Sequence, residues 1–304
     1  MNDNETRNKI IEIADAKIMD MQIGVDFPAE YFHYTSIASF LNILETGKLW
    51  LSHYNYLNDP NEVNFGIDVL KYILRQSSIS EIIDDKFFND LKNLYHVRDE
   101  HIFIFSLSQL EDSLSQWMSY GDDGAGVVLS FERNPLNFLN VTGKNIQKVF
   151  FPVLYYSSNS WDSEYYIVKD RLNGFEKHLI EFFDIIRDHI KNLKLEQELI
   201  DLVGDYVLIF SSCIKHEFFE SEQEYRLFIK TGSDNNSIRT RQYGHSLKVY
   251  YETDIKAFFK SLIQKVIIGP KHYGDKRIKF GLDNQLRLNG FSDIKVVPSN
   301  GIMK

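Results

Sequence analysis

The segment His101-Ile102-Phe103-Ile104-Phe105-Ser106-Leu107-Ser108 carries apolar side chains on consecutive positions and ends in small hydroxyls. Successive strand residues point to opposite faces, so a run of this kind reads as a strand covered on both sides. Other strand-like runs fall at 30–35, 48–52, 127–132, 148–156, 224–230, 248–251, 265–270 and 294–297. Between them helical periodicity appears at 7–21, 37–45, 62–75, 80–96, around Trp117 and Tyr120, and at 273–289. This irregular interleaving predicts an α+β fold with a mixed or antiparallel sheet.

Residues 163–213 read as almost wholly helical, a long insertion that leaves about 250 residues for a single α+β domain. With 6 Pro and 16 Gly in 304 residues, the chain offers few places for a flexible linker. The expected organisation is an amphipathic N-terminal helix within 1–27, then one domain over 28–304 with the insertion at 163–213. Ser36 is placed to cap the helix at 37–45 and Gly47 to close it, while Asn58-Asp59-Pro60-Asn61 is turn chemistry.

Several classes are disfavoured. No run approaches the roughly 18 apolar residues of a membrane helix, so no membrane partner is expected. The start Met1-Asn2-Asp3-Asn4-Glu5 lacks a secretory pattern, and a single cysteine, Cys213, forms no internal disulfide, which predicts a cytoplasmic protein. The charge of −9, from 34 Lys+Arg and 43 Asp+Glu, opposes non-specific nucleic-acid binding without excluding a local basic patch. The stretch 265–279 holds five Lys or Arg against one Asp and reads as a solvated helix face. There is no phosphate-binding Gly-x-x-x-x-Gly-Lys-Ser/Thr loop, no Gly-x-Ser-x-Gly elbow and no His-Glu-x-x-His pair. One Cys and nine scattered His give no ligand-spaced zinc cluster, and no metal is expected.

Polar residues gather in four blocks. In His33-Tyr34-Thr35, alternation sends His33 and Thr35 to one side, where an imidazole and a hydroxyl can grip a ribose diol or a carboxamide; the plainer reading is a core histidine beside a capping threonine. In 54–62, Tyr54 or Tyr56 offers a ring for stacking, while Asn58, Asp59 and Glu62 suit a turn and a helix start. In the third block Ser106 and Ser108 share a face, Trp117 and Tyr120 lie at i, i+3, and the turn holding Gly121, Gly124 and Gly126 suits either a phosphate or plain reversal. In the fourth, Glu222, Glu224 and Arg226 alternate at a strand start, as a catalytic carboxylate set or as an exposed Glu–Arg ladder.

The order His-Tyr-Thr, Leu-Asn-Asp-Pro-x-Glu, Ser with Trp-x-x-Tyr and a Gly-rich turn, Lys then Glu-x-Glu-Tyr-Arg, and a closing Ile-Gly-Pro resembles a widespread bacterial family of unknown function over residues 30–300. It departs from the family's tryptophans near Phe219 and Tyr225, which are other aromatics here. The opening His33-x-Thr35, with the helix ending Ile43-Leu44-Glu45-Thr46-Gly47, is also similar to the start of ADP-ribosyltransferases. That resemblance implies a split sheet and NAD as substrate. It implies His33 with Thr35 as the NAD grip, Tyr54 or Tyr56 as the nicotinamide platform, and Glu222 or Glu224 as the catalytic carboxylate. Ser106, Trp117, Tyr120 and Arg226 are the further candidates for holding the nucleotide. A toxin or phage-defence effector is the role it implies, with a protein or nucleic-acid acceptor left open. The alternatives are a metal-dependent nuclease built on Asp59, Glu62, Glu222 and Glu224, and a non-catalytic nucleotide-sensing or protein-binding module.

Overall fold

The computed structural model describes residues 3–23, 27–57, 61–75, 77–81, 83–94, 100–132, 147–158, 166–169, 175–190, 196–301 and 303. In chain order these form α1 (Asp3–Ile23), β1 (Glu30–Thr35), α2 (Ile37–Thr46), β2 (Lys48–His53), α3 (Glu62–Leu74), α4 (Asp85–Leu94), β3 (Glu100–Ser108), α5 (Leu114–Tyr120), β4 (Val127–Glu132), β5 (Gln147–Pro152) and β6 (Leu154–Ser158). Then follow β7 (Tyr166–Lys169), α6 (Phe175–Ile190), α7 (Glu196–Ser211), β8 (Ile214–His216), β9 (Glu224–Gly232), β10 (Ile238–Tyr243), β11 (Ser246–Asp254), α8 (Phe259–Leu262), β12 (Ile263–Ile268), α9 (Lys276–Leu288) and β13 (Lys295–Pro298). The class is α+β, with mostly antiparallel sheet.

The chain divides into two compact units: 1–26, 54–102 and 153–220 form the first; 27–53, 103–152 and 221–304 form the second. In the first, α1 buries Ile10, Ala14 and Ile18 at i, i+4, i+8, the stripe an amphipathic helix requires. Phe182 of α6 meets Tyr206 and Phe210 of α7 at ring separations of 5.4 and 5.3 Å. Gly66 lets α3 approach α7 so closely that an added Cβ would lie 2.1 Å from the Ser211 carbonyl oxygen. A small sheet ordered β7-β6-β8 completes this unit.

Three sequence expectations are corrected in this region. The run 148–156 is two strands: Val153 separates β5, which pairs with β9, from β6, which pairs with β7 and β8. An apolar run carries no signal for a change of sheet, and Pro152 was the one available hint. Within the expected helical insertion, Tyr166–Lys169 is a strand on β6, while α6 and α7 are helical as the periodicity predicts. The expected helix at 80–96 begins later, after Asp84, whose carboxylate accepts from the Phe87 amide at 3.0 Å.

The second unit holds the main sheet, ordered β10-β11-β2-β3-β1-β4-β12-β13, with β9 pairing β3 and β5. One side is packed by a continuous core that includes Tyr31, Phe40, Leu49, Leu51, Phe150, Tyr225, Leu227 and Val296. Ser36 caps α2 by accepting from the Ser39 amide, and Gly47 closes it at φ 68°, with its N–H on the Ile43 carbonyl at 2.8 Å. These two boundary residues aim β1 and β2. The sheet is forked between them: β3 pairs with β1 only at Phe32↔Ser108 and with β2 at Ser52↔Ile104 and His53↔Phe103.

Candidate functional site

A cavity of about 350 Å³ opens at this fork, within the range of small-ligand pockets. His33 and Thr35 of β1 border it with Phe105 of β3; Ala38, Ser39, Asn42 and Ile43 of α2 form one wall. Leu49, Trp50 and Ser52 of β2, Arg241 of β10 and Tyr250 of β11 form the other.

The histidine's state follows from its partner. Ser106 lies between the two pairings of β3, and its carbonyl oxygen is 3.1 Å from His33 Nδ1. A carbonyl only accepts, so Nδ1 carries the proton and Nε2 remains an acceptor. Burial pushes the imidazole down to about 4, against the pull of that hydrogen bond, so it is neutral at pH 7. Its ring lies 4.5 Å from that of Phe105.

The aromatic wall is built by register. Across β2 and β11, Trp50 opposes Glu252 and Ser52 opposes Tyr250. The Trp50 and Tyr250 rings are 4.6 Å apart at 40°. The Trp50 indole N–H donates to Glu252 at 3.2 Å, and Lys48 donates to the other carboxylate oxygen. Partial burial raises the Glu252 carboxyl, but these two donors outweigh it and leave its pKa lowered. The Arg241 guanidinium lies 5.0 Å from the Trp50 ring, a cation–π arrangement. Sequence reasoning passed over Trp50, Tyr250 and Arg241. The available signal was a tryptophan alternating with Leu49 and Leu51, the side that alternation gives to the core.

The remaining candidates lie elsewhere. Trp117 is buried in a cluster with Phe32, Tyr34, Val128 and Ile267, the face of β1 opposite His33, and its indole N–H donates to Asp112 at 2.6 Å. Tyr120 packs on that cluster and donates to a Glu222 carboxylate oxygen at 2.8 Å. Glu222 is not on the strand: it ends a 3-10 turn, and Gln223 at φ 46° separates it from Glu224. Glu224 and Arg226 do share a face of β9, where the guanidinium grips the carboxylate at 2.8 and 3.0 Å, both residues buried. Alternation puts that pair opposite Tyr225, Leu227 and Ile229, which face the core. The exposed-ladder reading of this block is therefore replaced by a buried bidentate pair.

Ser106 contributes its carbonyl, while the Ser108 hydroxyl donates to the Glu222 carbonyl at 2.7 Å. Tyr54 and Tyr56 form a 3-10 turn after β2 and belong to the first unit, so the expected strand-borne platform is not theirs. In the Gly-rich turn, the amides of Gly121, Gly124, Ala125 and Gly126 all bond to carbonyls within 116–122, leaving them unavailable to a phosphate.

For the nuclease reading, Asp59 lies outside the described residues. Glu62 faces Lys215 at 3.4 Å with both side chains buried, and Glu224 faces Arg226, so these two carboxylates already have cations. Among the described residues no group of three or more His, Cys, Asp and Glu is placed to hold a metal ion. No helix among them is long and apolar enough to cross a membrane.

Residues 116–227 match a protein family of unknown function, DUF2971. The matched stretch contains Trp117, Tyr120, Glu222, Glu224 and Arg226, whereas His33, Thr35, Trp50, Arg241 and Tyr250 lie outside it. No curated protein and no solved structure matches the chain.

Proposed function

We propose that the second unit is a nucleotide-binding module whose fork cavity takes NAD. One observation carries this reading: a neutral histidine, a threonine hydroxyl, a Trp–Tyr ring pair and an arginine border the same cavity. Neutral imidazole and hydroxyl suit a ribose diol or carboxamide, the rings suit a flat base, and the guanidinium suits a phosphate. The cavity volume accommodates a nucleoside half, with the diphosphate reaching the rim at Arg241.

ADP-ribosyl transfer, and with it a toxin or phage-defence role, rests on the resemblance of His33-x-Thr35 to ADP-ribosyltransferases. Such chemistry calls for a carboxylate beside the attacked ribose, and among the described residues no Asp or Glu borders the cavity. Glu222 and Glu224 are held by Tyr120 and Arg226 instead. The donor set fits nucleotide binding and not the transfer step, so binding is the function proposed.

Titration of the purified chain with NAD, followed by thermal shift and intrinsic tryptophan fluorescence, tests it. The expected result is a saturable rise in Tm that Trp50→Ala and Thr35→Val each weaken. The absence of any NAD-dependent shift in the native chain overturns the proposal. Release of nicotinamide or transfer of label from NAD would instead establish the enzymatic reading.

A further inference from the structure

The cavity wall continues outward as a ribbon. β10 and β11 pair at Arg239↔Tyr250, Arg241↔Lys248 and Tyr243↔Ser246. Directly opposed residues of an antiparallel pair share a face, so Arg239, Arg241, Tyr243 and Lys248 lie on the face that presents Tyr250 to the cavity. Between 237 and 251 the sequence contains Arg239, Arg241 and Lys248 and no Asp or Glu, in a chain of charge −9.

The state of these cations distinguishes them from the other basic stretch. At 265–279, Lys265 pairs with Glu30 and Glu111, Lys271 with Asp123, Arg277 with Asp275 and Lys279 with Asp283, so that stretch is largely neutralised. On the ribbon, Arg241 and Lys248 have no carboxylate partner among the described residues and lie over rings. The Lys248 ammonium is 3.9 Å from the Tyr243 centroid, and Arg241 is 5.8 Å from the same ring. Tyr243 is 56% exposed.

We infer that the β10–β11 ribbon is a binding surface for single-stranded nucleic acid. Unpaired cations beside the exposed Tyr243 ring match a chain that alternates phosphates with flat bases. A duplex hides its base faces and would leave Tyr243 without a stacking partner. An acidic peptide would use Arg241 and Lys248 but not the ring. This inference goes beyond NAD binding and does not depend on it.

The test is fluorescence anisotropy of the whole chain with a labelled short oligothymidylate over a range of salt. Binding is expected to weaken with salt; Lys248→Gln should lower the log–log slope by about 0.7, and Tyr243→Ala should weaken binding about tenfold. Tyr243 is exposed, Lys248 is half-buried, and neither borders the cavity, so the NAD-dependent Tm rise should persist in both variants. Oligonucleotide binding by a chain that shows no NAD response would support the ribbon while removing the nucleotide-pocket reading. The inference is overturned if the native chain does not bind the oligomer, if it binds duplex of equal length as tightly, if polyglutamate displaces the oligomer as well as unlabelled strand does, or if both variants bind like the native chain.

Discussion

His33 Nδ1 stands 3.1 Å from the Ser106 carbonyl oxygen, at the point where β3 has left β2 and not yet reached its pairing with β1. A backbone acceptor freed by a forked sheet is thus satisfied by a side chain that also borders the cavity. The cost is a histidine that resists protonation, with its pKa lowered from 6.5 to about 4. The unfolded chain takes up this proton as pH falls through 6.5, whereas the folded chain does not until about 4. Stability from this group is therefore complete above 6.5 and declines as pH falls toward 4, by at most about 3 kcal/mol. Urea unfolding at neutral pH and at about pH 5 measures it. His33→Asn, whose amide can still donate to Ser106, should flatten that difference, and an unchanged pH dependence in the variant would refute the assignment.

Glu224 and Arg226 make a buried, bidentate pair on one strand face. Removing one partner strands a charge, so Glu224→Ala should cost about 3–5 kcal/mol in chemical unfolding. The double change Glu224→Leu with Arg226→Met removes both charges and should recover much of that loss. If Glu224→Ala leaves stability intact while abolishing a nucleotide-dependent activity, the carboxylate is functional rather than structural.

The parts of this molecule legible from its sequence are those set by local chemistry. Ser36 and Gly47 bound α2 because a cap and a left-handed residue act within a few positions. The buried character of β3 follows from a continuous apolar run. The cavity was half legible: His33 and Thr35 fall together by simple alternation, but their aromatic partners depend on the pairing of 48–53 with 246–254. The strand Ile238–Tyr243 gave almost no signal, because five of its six residues are exposed and its pattern is polar on both faces. The parting of Glu222 from Glu224 was invisible for another reason: alternation holds only while the backbone is extended, and Gln223 is not.

Gly66 tests the close approach of α3 to α7. Alanine is normally the better helix former, by up to about 1 kcal/mol. Here its Cβ would meet the Ser211 carbonyl oxygen at 2.1 Å. Gly66→Ala should therefore destabilise by about 1–3 kcal/mol through forced separation of the helices. A gain in Tm would show that the two helices part without cost.

Gln223 carries a left-handed φ of 46° while its carbonyl accepts from the Gln109 amide at 2.9 Å. A long side chain pays roughly 1–2 kcal/mol for that conformation, which glycine avoids. The kink turns Glu222 toward Tyr120 and leaves Glu224 facing Arg226, so its loss would draw both carboxylates back toward one face. Gln223→Gly should leave stability within about 1 kcal/mol of native, its looser unfolded chain offsetting the relieved strain. Gln223→Val should lose about 1–3 kcal/mol, because a β-branched residue resists positive φ most strongly. Equal urea midpoints for the valine variant and the native chain would mean that the turn relaxes freely, and that the separation of the two glutamates is not enforced by the backbone at this residue.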